Sequence, residues 1–222
     1  PQYLEKLLHF TPVQAGSGII PLMFTYAITS FFAGKVYIAL GARMSIFLGF
    51  LITSIGTFGI VLFGFSGSYF HLVIPFSICG VGTGIALACI NTAAVGTVKE
   101  SRSSLAGGLT MMFQMSGAAL GLAIVTTIFV VTSTNELLSR ITTLGIDLSP
   151  SNIENIKSFI IGSGTEQTLV NDMGKQTVDK LVPHIKASYI NGLRIGLSFT
   201  GTLLLFGAFF TLFKKKKFNS ND

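Results

Sequence analysis

Five long apolar runs, at 15–33, 44–65, 70–94, 105–131 and 190–213, alternate with short polar or basic stretches, and none of the five contains Asp or Glu. About 20 apolar residues rising about 1.5 Å each carry a helix across a hydrocarbon core of about 30 Å. An unpaired backbone amide in lipid costs several kcal/mol, so a spanning segment must be a helix or part of a closed barrel. Barrel strands are short and alternate in polarity, whereas these runs are long and continuous. The pattern therefore predicts an all-α integral membrane protein with about five transmembrane helices.

Composition agrees, with 50% hydrophobic and only 11% charged residues among 222 and a mean hydropathy of +0.68. The charge distribution then sets an orientation. Lys35 with Arg43, Lys99 with Arg102, and the run at 214–217 are the basic clusters flanking the spans, and five crossings place all three on one side. Basic loops stay in the cytoplasm, so this side and the carboxyl terminus are expected there, in a multi-pass cell (plasma or inner) membrane protein. The opposite side receives the start of the chain, the turn at 66–69 and the long segment 132–188, where five cations face six carboxylates. The net charge of +6 follows from this topology and from contact with anionic headgroups. No basic patch with interleaved aromatics is present, which argues against nucleic acid as a partner. The basic run at 214–217 reads as a stop-transfer anchor or as a lipid-sensing switch.

The organisation expected from these runs is four transmembrane helices within 1–131, an extracytoplasmic loop with short helices at 132–188, a last transmembrane helix at 189–213 and a basic cytoplasmic tail at 214–222. Within the loop, Ser151 to Glu154 in SNIENIKSF has a capping-box pattern, GSGT at 162–165 reads as a break, and a second helical piece is expected at about 167–180. The chain opens on Pro1 with PQYLEKLLHF, which has no basic start and apolar core of a leader. The expectation is a carboxyl-terminal piece of a longer protein, with its amino end outside.

Candidate chemistry is sparse. Asn91 and Thr92 lie near one end of the third run; Gln114, with Met111, Phe113 and Met115, lies in the fourth. An uncharged polar side chain at membrane depth faces the protein interior. Gln114 is thus an interhelical hydrogen bonder or the polar handle of a cavity whose Met and Phe side chains adapt to varied ligands. Gly80 and Gly84, and Gly117 and Gly121, have spacings that let helices approach closely or bend and rock. The runs 44–65 and 190–213 are apolar nearly all round and read as lipid-facing. Arg194, the one charge in a span, snorkels to the interface beside Tyr189 or packs as a gate against the long loop. Cys79 and Cys89 stand ten residues apart on one helix, about 15 Å, and do not bridge each other. His9, His71 and His184 are scattered and form no metal site. Paired catalytic carboxylates, a Ser/His/Asp arrangement and a phosphate-binding GxxxxGK[ST] are all absent, so the chain is not read as an enzyme or an ATP-driven pump.

The stretch GKVYIALGAR at 34–43 resembles the short cytoplasmic loop motif of the major facilitator superfamily in its second-half form. Gly34, Lys35, Gly41 and Arg43 carry the likeness, although the family's acid is missing. QYLEKLLHFTPVQAGSGIIPL, VGTVKESRSSLAGGLTMMFQMSGAALGLAI and YINGLRIGL extend it over nearly the whole chain, to the last five spans of the fourteen-span drug:proton antiporter branch. The resemblance implies a carboxyl-terminal half of a major facilitator-type bundle, working by alternating access against a missing amino-terminal half. The spans holding residues 19–29, 80–91 and 108–120 would line the cavity, with Asn91, Met111, Gln114 and Met115 as substrate-contact candidates. The implied function is proton-coupled efflux of amphipathic or cationic small molecules, without a cofactor, driven by an ion gradient whose coupling carboxylates lie in the missing half. An accessory efflux protein is a further implied partner. A transporter of another small solute, or a non-transporting membrane scaffold, is the alternative.

Overall fold

In the computed structural model the described residues are 11–65, 69–143, 153, 158 and 175–213, and they are helical with no strands among them. The elements are α1 (Pro12–Ser17), α2 (Ile20–Phe63), α3 (Phe70–Gly96), a 3-10 turn (Glu100–Arg102), α4 (Ser103–Thr143) and α5 (Lys175–Phe213). The four long helices are each long and apolar enough to cross a membrane.

The first apolar run does not form one helix from residue 15. Thr11 caps α1, its hydroxyl accepting from the Gln14 amide while the Gln14 side chain accepts from the Thr11 amide. The short helix stops at Gly18, and α2 starts at Ile20 with Pro21 in its first turn, where proline needs no amide partner.

α2 contains two crossings. Gly41 has φ 76° and ψ 164°, outside the helical region and within the range that favours glycine. The Ser45 hydroxyl donates to the Gly41 carbonyl at 2.9 Å and to Val36 at 3.1 Å, which ties the two limbs together. Packing against α3 fixes their directions. Gly80 lies on Leu22 and Thr25, Gly84 on Tyr26 and Thr29, and the Cys89 thiol on the Ala33 carbonyl, so limb α2a (20–40) runs parallel to α3. Ala86 meets Gly49, Gly82 meets Thr53, and Cys79 meets Gly56 and Thr57, so limb α2b (42–63) runs antiparallel. The chain reverses over a single residue, and 34–40, expected as a loop, are the last two turns of α2a.

Glycine makes this three-helix packing possible. A side chain on Gly82 would strike the backbone of Thr53, and one on Gly80 the carbonyl of Leu22. Small residues let backbones approach, and dispersion contacts then hold helices that the hydrophobic effect cannot drive together in lipid. Ser45, Thr53, Ser54 and Thr57 are buried along α2b. Ser54 donates across to the Gly201 carbonyl of α5 at 2.8 Å, and Thr53 and Thr57 bond back to their own helix.

α5 completes the arrangement. It packs along α2b through Phe58 against Gly201 and through an edge-to-face pair of Phe47 and Phe209 with centroids 6.0 Å apart. It also runs antiparallel to α4, with Gly196 on Val125 and Gly192 on Phe129 and Ser133. α4 touches α3 only sparsely. Two boundaries differ from the apolar runs: α4 continues to Thr143, past residue 131, and α5 is already helical at Lys175. Residues 132–143 and 175–189 are therefore helical and not loop, and the stretch from 181 onward forms a pair with 132–143. It is held by buried Leu137, Ile141, Leu181 and Ile185, an amphipathic seam that a search for continuous apolar runs passes over. Of the helix expected at 151–154 only Ile153 is described; the break at 162–165, most of the piece at 167–180, and the tail 214–222 lie outside the described residues.

Candidate functional site

Two of the uncharged polar residues singled out in the third and fourth runs, Asn91 and Gln114, meet. The Gln114 side-chain amide donates to the Asn91 carbonyl oxygen at 2.9 Å, joining α3 to α4 where those helices otherwise have little contact. Asn91 lies less than two turns from the end of α3, and Gln114 about three turns into α4. At 100° per residue Met111 shares the face of Gln114, and Met115 stands a quarter turn away. Both methionines are more than half exposed, at 55% and 66%. Thr110, Gly117 and Gly121 extend the Gln114 face along the helix, and neither glycine has an atom within 4 Å of where a Cβ would stand. Gly80 and Gly84 are thus in close helix contact in this chain, and Gly117 and Gly121 are not. The most apolar stretch of α4 has no buried residue at all. This face is a low-polarity surface with one amide pair and two polarizable side chains. It offers van der Waals contact over a wide area and a few hydrogen bonds, without a fixed charge.

The basic motif lies elsewhere. Lys35 and Arg43 are exposed on the two limbs beside Gly41, and the Lys35 ammonium stands 5.6 Å from the Phe32 ring centroid. Gly34, two turns before the end of α2a, is exposed with open space around it among the described residues, so Gly41 alone makes the turn. Arg194 stacks its guanidinium over the Phe65 ring at 5.5 Å, at the far end of α2b. Tyr189, its expected neighbour at the interface, is buried instead, edge-to-face on Phe129 at 4.9 Å. Cys79 and Cys89 are free and buried. His71 opens α3 and His184 sits in α5, and among the described residues no cluster of ligating side chains could hold a metal.

A second polar cluster joins the helical extensions. Glu136 Oε1 accepts from Arg140 at 2.7 Å and from the Asn191 amide at 2.7 Å. Beside it Ser133 and Ser188 bury hydroxyls with no partner among the described residues, as does Thr134. The Glu136 and Arg140 pair was visible in the sequence as an i,i+4 spacing. Asn191, 55 residues further on, carried no signal of its partnership.

The sequence profile of the Major Facilitator Superfamily matches residues 1–135. Multidrug resistance protein Stp of Mycobacterium tuberculosis is 27% identical over 123 residues, which are 55% of this chain and 23% of that protein. The uncharacterized MFS-type transporter YhcA of Bacillus subtilis is 23% identical over 129 residues, 58% of this chain and 24% of its own length. The chain thus spans about a quarter of the relatives it matches. The Bacillus subtilis relative is named as a transporter, a class of protein that is not an enzyme, and the spanning helices make this a multi-pass membrane protein. The extent of the profile match, over more than half of the chain and across the Gly41 reversal and the Asn91–Gln114 bridge, shows that the chain belongs to the Major Facilitator Superfamily.

Proposed function

We propose that this chain is part of a proton-coupled secondary transporter that exports amphipathic or cationic small molecules by alternating access. The observation that carries the reading is the amide pair of Asn91 and Gln114 beside Met111 on an exposed, uncharged face. Adaptable apolar contact with one polar handle suits varied solutes better than a rigid charged pocket does. The name of the Mycobacterium tuberculosis relative, a multidrug resistance protein, favours drugs as the solute class. In this reading the Gly41 end is cytoplasmic, because Lys35, Arg43, Lys99 and Arg102 collect there.

Export needs an energy source. Antiport requires an ionisable group at membrane depth whose proton affinity changes with access. The five apolar runs offer no Asp or Glu, so the coupling carboxylates belong to the remainder of the transporter, against which this half rocks. No cofactor enters the cycle.

Efflux of a fluorescent cationic dye from cells expressing the complete protein, with and without a protonophore, tests this. Loss of efflux on collapsing the gradient, and a rise of about tenfold in KM in Gln114→Ala without loss of protein, is the expected result. Efflux that survives the protonophore would overturn the coupling. No efflux of any cationic dye at normal membrane abundance would move the substrate to another solute class or favour a non-transporting scaffold.

A further inference from the structure

Limb α2a carries a notch of about 220 Å³ lined by Tyr26, Ala27, Ser30 and Phe31. Ser30 stands halfway along the limb, about 15 Å of helix from either end, which is the middle of a hydrocarbon core about 30 Å thick. Hydroxyls on helices commonly bond back to a carbonyl three or four residues earlier. On this limb Thr25 does so to Pro21 and Leu22, and Thr29 to Thr25. The hydroxyls of Tyr26 and Ser30 have no partner among the described residues. Facing acyl chains they would stay uncompensated, so this part of α2a is polar surface kept for something other than lipid.

The notch borders the Asn91–Gln114 face. On α3, Gly84 meets the Tyr26 carbonyl and the Ser30 amide, and Asn91 follows seven residues later on the same face, about 10 Å nearer the Gly41 end. The Tyr26–Ser30 edge of α2a and the Gln114 face of α4 thus flank one face of α3. Among the described residues α2 and α4 hardly touch each other, although both meet α3, so the space between them is open.

At this volume the notch is smaller than the roughly 300–1,000 Å³ that hold a whole drug-sized ligand, and it takes one group of a larger molecule. Its lining selects the group. The faces of aromatic rings attract an ammonium, hydroxyl oxygens can solvate it, and no Lys or Arg lines the notch to repel it. We infer that the notch is a subsite for the ammonium group of an organic cation, whose apolar body lies along the Asn91–Gln114 face. This deepens the export reading and rests on it for the role of the cation as cargo.

The test uses the complete protein in nanodiscs with Ser30→Cys, over the low background of the two buried native cysteines. Its rates of modification by trimethylammonioethyl methanethiosulfonate and by the anionic sulfonatoethyl counterpart are compared with those of a free thiol in solution. A preference for the cation about tenfold above the free-thiol ratio is expected. Tyr26→Leu should remove most of that preference, and Tyr26→Phe, which keeps the ring, should retain it. Because Tyr26 lies against α3 and Tyr26→Leu risks misfolding, Phe31→Leu, at a side chain 87% exposed, gives a second arm with the same loss at unchanged melting temperature. Modification by neither reagent would overturn the inference, because the notch would then face lipid or be covered by the remainder of the transporter. So would a free-thiol ratio, or a preference that survives the loss of either ring. Dye efflux is read separately: selective labelling in a protein that exports no cation would remove the cargo role and keep the site, whereas efflux without selective labelling would remove the site and keep the export reading.

Discussion

Gly34 and Gly41 have the same motif spacing and similar neighbours, yet their backbones ask for different things. Gly41 has φ 76° and ψ 164°, a region almost confined to glycine, where an L side chain costs roughly 1–3 kcal/mol. Gly34 is helical, exposed and has nothing within 4 Å, so alanine there regains the helix propensity that glycine forfeits, about 0.5–1 kcal/mol. Opposite shifts are expected in thermal melts of the purified protein: Gly41→Ala lowers the melting temperature and Gly34→Ala raises it. Equal losses in both would mean that Gly34 is covered by another part of the transporter. The sequence located the turn because cations between two apolar runs have to leave the membrane. Which glycine makes the turn was not legible, since that depends on one dihedral angle and not on residue type.

At the scale of elements, the spans were legible and their ends were not. A membrane imposes a length and a polarity that composition records directly, whereas the extensions at 132–143 and 175–189 follow an interrupted pattern that reads as loop until the partner helix is known. Their pairing rests on Leu137, Ile141, Leu181 and Ile185 and on the Glu136 contact to Asn191. Against it stand the unpartnered hydroxyls of Ser133 and Ser188 at the same interface, each costing about 1–3 kcal/mol when buried. Both Glu136→Ala and Asn191→Ala should destabilise the extension by about 1–2 kcal/mol, and the double variant by less than the sum, because one removes the partner of the other. Arg140 is too exposed, at 38%, for its ion pair with Glu136 to add much. Hydrogen exchange over residues 132–143 is the measurement, and additive losses would remove the bridge from the account.

For the whole molecule, the order of crossings decides which ends share a compartment. α2a runs with α3 and against α2b, α4 runs against α5, and α5 runs against α2b. The five limbs therefore alternate, which puts the Gly41 turn and the α3–α4 connection at one end and the helical extensions at the other. Lys35 and Lys99 mark the first end and Asn135 the second, all three exposed. The two native cysteines are free but buried, so single cysteines at these places can be labelled over a low background. In intact cells treated with a membrane-impermeant maleimide, the proposed orientation, with the cations of the Gly41 end retained inside, expects Asn135→Cys to react and Lys35→Cys and Lys99→Cys to react only after permeabilisation. The reverse pattern would invert the orientation and place the Asn91–Gln114 bridge nearer the outer surface. Labelling of Lys35→Cys and Lys99→Cys from opposite sides would contradict the reversal at Gly41 itself, because those residues share an end only if α2 crosses twice.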